Sequence, residues 1–204
     1  MHEPGLASGL PTSYPADVEL VAPLEIARWR PLVHWLLAIP HFVVLYVYGL
    51  ALGVVTFLAF FAILFTGNIP RSMFDFMVGV YRYQWRVGSY LYFMRESYPS
   101  FGIESGAIDQ GTDPARLSVL PAERLSRLLP FVKWLLALPH YIVLFFLSLG
   151  AFFVWGIAAF AVLLTGRWPA GMRDFLVGVT RWSTRVNAYV SLLTDRYPPF
   201  RLAP

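Results

Sequence analysis

Residues 35–70 read WLLAIPHFVVLYVYGLALGVVTFLAFFAILFTGNIP and contain no Asp, Glu, Lys or Arg. Later in the chain, residues 134–166 read WLLALPHYIVLFFLSLGAFFVWGIAAFAVLLTG and are equally free of charged side chains. A membrane-spanning helix needs about 20 apolar residues, so each run is longer than one span and shorter than two. The two runs predict an all-α membrane protein.

The two runs belong to an internal duplication. A shift of 99 residues aligns residues 31–101 with residues 130–200 without a gap, and 32 of the 71 aligned positions are identical. The identities include Pro, His, Asp, Arg and Gly, so a biased apolar composition does not explain them. Because self-similarity at a fixed offset is typical of repeat architectures, we interpret the chain as two tandem repeats of a helical hairpin.

Composition agrees with a membrane location. Hydrophobic residues make up 57% of the chain and charged residues 14%, whereas soluble domains carry about 25% charged residues. The net charge is +4, but most basic residues flank the apolar runs, where they orient membrane helices, and we expect no nucleic-acid partner. The chain has no cysteine, which excludes disulfides, thiolate metal sites and a cysteine nucleophile.

The chain divides into four segments: a polar N-terminal segment (1–27), a first membrane repeat (28–101), a polar linker (102–121) and a second membrane repeat (122–204). The start of the chain lacks the basic and apolar regions of a signal peptide. Asp17–Val21 and Arg116–Leu120 are separated by the same offset of 99 and alternate weakly, as strands do. They can pair as a small cytoplasmic sheet.

Each repeat begins with a proline-divided apolar segment. Since proline is disfavoured inside a helix, Pro40 predicts a short interfacial helix over Arg28–Ile39 and a first membrane helix over His41–Phe65. Tyr141–Leu164 is the copy of that membrane helix. The following Thr-Gly-x-x-Pro element predicts a helix end at Gly and a new helix opened by Pro.

The next helix, predicted over Ser72–Met94, is long enough to cross the membrane but carries charges on one face. These residues and their counterparts in the second repeat are Asp75, Arg82, Arg86, Asp174, Arg181 and Arg185. Either the helix spans with this polar stripe buried against partners, or it lies in the interface with the stripe among headgroups. In a four-span arrangement, nine basic residues lie on the side of the termini and three on the other. This bias favours four membrane helices with cytoplasmic termini.

The polar stripe is the first candidate site. Each charge costs about 2.5–3.5 kcal/mol in hydrocarbon unless it pairs or stays hydrated. Asp75 and Arg82 are two turns apart, so we expect an Asp of one helix to meet an Arg of another. The functional interpretation is a polar pathway or a site for lipid or partner binding, since guanidinium groups suit phosphate. The structural interpretation is an ion pair between helices or an amphipathic helix at the interface.

The motifs W-L-L-A-x-P-H, T-G-x-x-P and D-F-x-x-G-x-x-R together resemble a family of bacterial and archaeal membrane proteins known mainly as a domain of unknown function, often present in tandem. The resemblance covers Arg28–Arg201. It implies a bacterial or archaeal plasma-membrane location, and it brings no activity, substrate or catalytic residue.

His41 and His140 occupy equivalent positions after a proline. Two histidines from related helices could hold a haem or a metal between the repeats, but neither has a second histidine one turn away. We therefore expect each imidazole to satisfy backbone groups freed by the proline or to meet an aspartate, and we expect no cofactor.

No hydrolase, phosphate-loop, metalloprotease or dinucleotide motif is present, so we expect no enzyme. The first hypothesis is a non-catalytic membrane subunit or scaffold that associates with lipids, other membrane-protein subunits or further copies of itself. The alternative is a small transporter, channel or lipid-translocating protein with a pathway along the Asp/Arg helices.

Overall fold

The structure is a computed structural model that describes residues 14–109 and 111–204. The first 13 residues of the N-terminal segment, including His2, lie outside the described residues. In chain order the elements are β1 (Ala16–Leu20), α1 (Arg30–Leu37), α2 (Ile39–Thr66), α3 (Arg71–Leu91), β2 (Ala115–Val119), a 3-10 turn (Leu129–Phe131), α4 (Lys133–Leu136), α5 (Leu138–Thr165) and α6 (Ala170–Val190).

The two longest helices are the apolar runs. Both α2 and α5 have 28 residues and carry their proline in the first turn, where no hydrogen bond is lost. Each ends at a glycine in the left-handed conformation, Gly67 with φ 78° and Gly166 with φ 73°. Cβ sterics disfavour that conformation in other residues. The predicted division at the prolines and the predicted helix ends are confirmed.

The segments before α2 and α5 differ in regularity. The predicted interfacial helix of the first repeat is present as α1. Its counterpart in the second repeat is broken into the 3-10 turn and the four-residue α4. Trp29, Trp35 and Trp134 in these segments are exposed, which is the placement that indole rings take at a membrane surface.

The two strands form an antiparallel sheet, as the sequence suggested, with each strand starting one residue earlier than expected. Val18 pairs with Leu117 at the centre of the sheet, and these two residues are separated by the repeat offset of 99. The middle of the sheet therefore lies on the approximate two-fold axis that relates the repeats.

Helices α3 and α6 form the middle layer of the molecule. On one side α3 packs against β2 and α6 packs against β1, and on the other side they contact α2 and α5 respectively. Hence α3 is buried on most of its surface, although its sequence is polar enough to suggest an exposed face. The outward faces of α2 and α5 form the layer farthest from the sheet.

The repeats are interlocked. The strand before each repeat packs on the polar helix of the other repeat. In addition, Ile26 N donates to Gly166 O at 2.9 Å, and its counterpart Leu125 N donates to Gly67 O at 2.9 Å. The segment that precedes each repeat is thus bound to the end of the other repeat's long helix.

The structure supports two of the four predicted membrane helices. By length and composition, α2 and α5 could cross a membrane, each with a mean hydropathy of 2.4. Within the described ranges no other helix meets that criterion. α3 and α6 bury arginines against the sheet and the linker instead of presenting an apolar surface.

Candidate functional site

Arg82 on α3 is held almost entirely by main-chain oxygens. Its Nη1 donates to Glu104 O at 2.6 Å, and its Nη2 donates to Gly106 O at 2.9 Å and to Leu117 O at 3.0 Å. Its Nε lies 2.9 Å from Asp109 Oδ2, and that carboxylate is fully buried. A guanidinium has five donors in a fixed fork, so this one side chain ties α3 to both the linker and β2.

Arg86, one turn farther along α3, binds two linker carboxylates. It donates to the two oxygens of Glu104 at 2.6 and 2.8 Å and to Asp109 at 3.3 Å. The hydrogen bond from Arg86 lowers the pKa of Glu104 below its usual value. Arg95 pairs with Asp113 beside this network. Three arginines and three carboxylates balance their charges here.

The second repeat has equivalent arginine contacts but fewer carboxylates. Arg181 Nη2 donates to Val18 O at 3.0 Å, the counterpart of the bond from Arg82 to Leu117, and its Nε lies 2.8 Å from Asp17. Arg185 is fully buried and donates to Ala203 O at 3.0 Å, with Asp17 at 3.4 Å. Asp17 therefore serves two arginines.

The two aspartates of the predicted stripe stand apart from its arginines. Asp75 pairs with Arg71 of its own helix at 3.3 Å, and Asp174 is exposed. The expectation that an Asp of one helix meets an Arg of another is wrong for Arg82 and Arg181, because the linker and β1 supply their carboxylates. The structure thus brings the predicted arginines together with Glu104, Asp109, Asp113 and Asp17, which the sequence analysis missed.

Two glycines allow the chain to pass over this network. A Cβ built on Gly79 would lie 1.9 Å from Ile103 Cγ2, and one built on Gly178 would lie 2.9 Å from Leu202 Cβ. The segments that carry Ile103 and Leu202 supply the carbonyl oxygens bound by Arg82 and Arg181. The close approach explains why Gly recurs in the D-F-x-x-G-x-x-R motif of both repeats.

His41 and His140 are fully buried, each in an aromatic cluster at the start of a long helix. His41 Nδ1 lies 2.5 Å from Tyr83 Oη, and its ring stacks on Phe101 at 4.3 Å. His140 accepts a hydrogen bond at Nδ1 from Trp182 Nε1 at 3.0 Å and stacks on Phe200 at 4.0 Å. The repeated P-H and Y-P-x-F motifs meet at these clusters, and no aspartate contact occurs there among the described residues.

The donor set around His140 bears on metal binding. Indole Nε1–H is a donor only, so His140 Nδ1 accepts and the neutral ring carries its hydrogen on Nε2. A ring nitrogen that carries hydrogen offers no lone pair to a metal. Within residues 14–109 and 111–204 there is also no group of three or more His, Cys, Asp or Glu able to hold a metal ion.

One more pair of buried polar groups, His34 and its counterpart Lys133, was not predicted from the sequence. His34 Nδ1 lies 2.7 Å from Tyr90 O. Lys133 Nζ donates to Thr194 O at 2.7 Å and lies 2.8 Å from Asp195. Burial lowers the pKa of both side chains. A polar residue recurring at one position of an otherwise apolar segment is the signal that could have found them.

The largest exposed feature is apolar. On α2, large hydrophobic side chains are exposed at intervals of three or four residues from Ile39 to Phe65, and on α5 they are exposed in the same way from Leu138 to Leu164. Soluble monomers rarely expose continuous apolar patches larger than a few hundred Å². This two-helix surface and the arginine network lie on opposite sides of the α3/α6 layer.

Comparison with known proteins identifies one family. The model of a family described as a domain of unknown function (DUF4389) matches residues 28–102 and again residues 128–201. No curated protein matches the chain, and no solved structure does.

Proposed function

Since the chain belongs to the DUF4389 family, which carries no assigned activity, we propose its function from the geometry: a non-catalytic membrane subunit that holds lipids or partner proteins in a larger assembly. The observation that carries the proposal is the exposed apolar surface of α2 and α5. Such a surface needs a covering of similar polarity, and the bilayer supplies one.

The arginine network supports a structural role over transport. Arg82, Arg86 and Arg185 are buried and the Arg181 side chain is 13% exposed. All four donate to carbonyl and carboxylate oxygens of the same chain. A transport pathway along α3 and α6 would need these groups to face water or a substrate. We therefore favour the scaffold over the transporter, channel or lipid-translocating alternative.

We further propose that α2 and α5 lie in one side of the membrane without crossing it. The four-span arrangement puts the loop after α2 and the linker on opposite sides of the bilayer. Yet Gly67 O, at the end of α2, accepts a hydrogen bond from Leu125 N, and His41, at the start of α2, stacks on Phe101 next to the linker. Both ends of α2 therefore contact residues that lie next to the linker.

The sheet gives an independent reason for this orientation. β1 and β2 are hydrogen-bonded and therefore lie on one side of the membrane, so α2 and α3 both cross or neither does. If α3 crossed the membrane, Arg82 near its middle would lie in the hydrocarbon together with the two-stranded sheet to which it is hydrogen-bonded. Open sheet edges do not occur in hydrocarbon. This proposal replaces the multi-pass arrangement of the sequence analysis; it keeps the plasma membrane and places both ends of the chain on the cytoplasmic side.

Membrane attachment is tested with matched lysine pairs. Leu50 and Leu149 are equivalent and both are exposed on the apolar surface, so Leu50→Lys with Leu149→Lys is expected to release the chain from vesicles in a flotation assay. The control pair, Ser105→Lys with Glu123→Lys, alters exposed residues outside the apolar surface and is expected to float like the unaltered chain. Equal flotation of both pairs contradicts the proposal.

The scaffold role is tested by the size of the native assembly. Extraction of the full chain from its own membranes in lipid nanodiscs, followed by light scattering and chemical cross-linking, is expected to show a complex larger than one chain. A solitary monomer with no cross-linked neighbour contradicts that role and leaves membrane attachment intact.

A further inference from the structure

The two repeats differ at one position in a way that leaves a cavity. Trp168, after α5, corresponds to Ile69, after α2. A cavity of about 220 Å³ opens beside Ile69 and is lined by Asn68, Ile69, Arg71, Phe74, Pro121, Ala122, Glu123, Leu125 and Leu193. In the second repeat an indole occupies the corresponding place.

Two residues of the buried cluster that contains Trp168 have counterparts in the lining of the cavity. Trp168 is 1% exposed and shares a buried cluster with Ile26 and Met94. At the repeat offset, Ile26 corresponds to Leu125 and Met94 to Leu193, which both line the cavity. The cavity is thus the seat that an indole fills in the second repeat.

The indole of the second repeat has a hydrogen-bond acceptor. In the second repeat Trp168 Nε1 donates to Phe93 O at 2.8 Å, and the indole stacks on the Phe93 ring at 5.2 Å. The counterpart of Phe93 is Leu192. Phe93 and Leu192 are the two non-glycine residues of the described chain with positive φ, 45° and 70°. The same unusual backbone conformation is therefore kept in both repeats, although only one of them holds a tryptophan.

The hydrogen bonds of the chain beside the seat differ between the two repeats. Trp168 N donates to Leu24 O at 2.8 Å. The corresponding backbone bond from Ile69 N to Glu123 O is not formed within the described chain, and the side-chain amide of Asn68 donates to Glu123 O at 2.9 Å in its place. The lining of the cavity is both polar and apolar. Glu123 and Arg71 are exposed and place charges at its rim, as at interface pockets that receive an aromatic anchor.

We propose that the cavity beside Ile69 binds a tryptophan side chain presented by a partner polypeptide. The inference rests on the proposed scaffold role and names the chemistry by which one partner is held. The chain's own first 13 residues contain no Trp, Tyr or Phe, so they cannot supply the ring. The polar rim provides donors and acceptors for the partner's backbone.

The test uses 5-fluoroindole as the probe and the full chain in detergent micelles, with binding followed by ¹⁹F NMR. The unaltered chain is expected to bind one equivalent above the level of empty micelles. Ile69→Trp fills the seat and is expected to weaken binding about tenfold or more, because the new ring takes the volume of the cavity. Leu58→Trp, on the lipid-facing surface, adds the same side chain elsewhere and is expected to leave binding unchanged.

A reciprocal variant extends the test. Trp168→Ile is expected to open the second seat and to add a second equivalent of bound probe. Should this variant fail to fold by circular dichroism, the comparison of Ile69→Trp with Leu58→Trp still decides. Absence of binding, or equal binding by the unaltered chain and Ile69→Trp, overturns the proposal, while the scaffold role is judged separately by assembly size.

The occupant is distinguished by sedimentation. Trp29, Trp35 and Trp134 are exposed and would be the source if a second copy of the chain filled the seat. A concentration-dependent dimer that Ile69→Trp abolishes would assign the seat to a second copy and overturn a separate partner. A monomer that binds the probe supports a partner of different sequence.

Discussion

Single buried arginines connect the layers of this protein, and they are not equally supported. Arg82 pairs with a fully buried carboxylate, whereas Asp17, the partner of Arg181, is 28% exposed. Removing one member of a buried pair leaves the other charge without compensation and costs about 3–5 kcal/mol. Partial exposure lets water replace part of the lost interaction.

We therefore expect Arg82→Gln to lower the free energy of unfolding by about 3–5 kcal/mol and Arg181→Gln to lower it by less. Chemical denaturation in micelles, followed by circular dichroism, measures both. The conservative Arg82→Lys variant controls for charge and is expected to recover part of the loss, since an ammonium cannot reproduce the fork. Equal losses for Arg82→Gln and Arg181→Gln would refute the assignment of a fully buried carboxylate to Arg82 and of a partly exposed one to Arg181.

His34 is expected to make stability depend on pH. Burial lowers its pKa, with the Tyr90 carbonyl opposing that shift and Arg30 adding to it. Below about pH 6.5 the unfolded chain binds a proton at this residue that the folded chain resists, so stability falls as the pH drops. His34→Gln is expected to flatten the unfolding free energy between about pH 7 and pH 5 relative to the unaltered chain. An unchanged slope would show that His34 does not titrate on unfolding.

Among the helices, α3 shows most clearly what local sequence can and cannot specify. Its start after Pro70 and the glycine turn before it were predictable, because proline and left-handed glycine act over a few residues. The partners of Arg82 were not, because Asp109 and Leu117 lie on a linker whose path depends on strand pairing across the whole chain. The polar stripe left open whether its arginines are buried against partners or lie among headgroups, and it did not identify their partners.

The glycines of α3 provide a matched pair for testing the close approach of the linker. Gly79→Ala is expected to destabilise the protein by about 1–3 kcal/mol, because the new Cβ would overlap Ile103. Gly88→Ala, on the same helix, meets nothing within 4 Å and is expected to stabilise it by about 0.5–1 kcal/mol. Thermal unfolding of the two variants measures the difference. If both stabilise the helix, the linker does not pack over Gly79.

At the scale of the whole molecule, the duplication produces a two-sided body. Each preceding strand crosses to the other repeat, so the approximate two-fold axis runs through the sheet, between α3 and α6, and out through the apolar surface. The repeat was evident from the sequence because identities recur at one offset. The exchange of strands was not, because either strand could pack on either polar helix with similar side chains. Because of that exchange, both ends of α2 contact the same side of the molecule.

The orientation in the membrane yields the final prediction. Single cysteines are introduced at Asn68, after α2, and at Ser105, in the linker. Both native residues are exposed, and the chain has no native cysteine to interfere. If α2 lies in one side of the bilayer, a membrane-impermeant maleimide labels both positions in inside-out vesicles and neither in right-side-out vesicles. Phe57→Cys, on the exposed apolar surface of α2, is the control and is expected to resist labelling from either side. Two-span hairpins require the opposite result, with Asn68→Cys and Ser105→Cys reached from different sides. The hydrogen bond between Gly67 and Leu125 is the structural reason to expect one side, since a bond of 2.9 Å cannot join segments separated by about 30 Å of hydrocarbon.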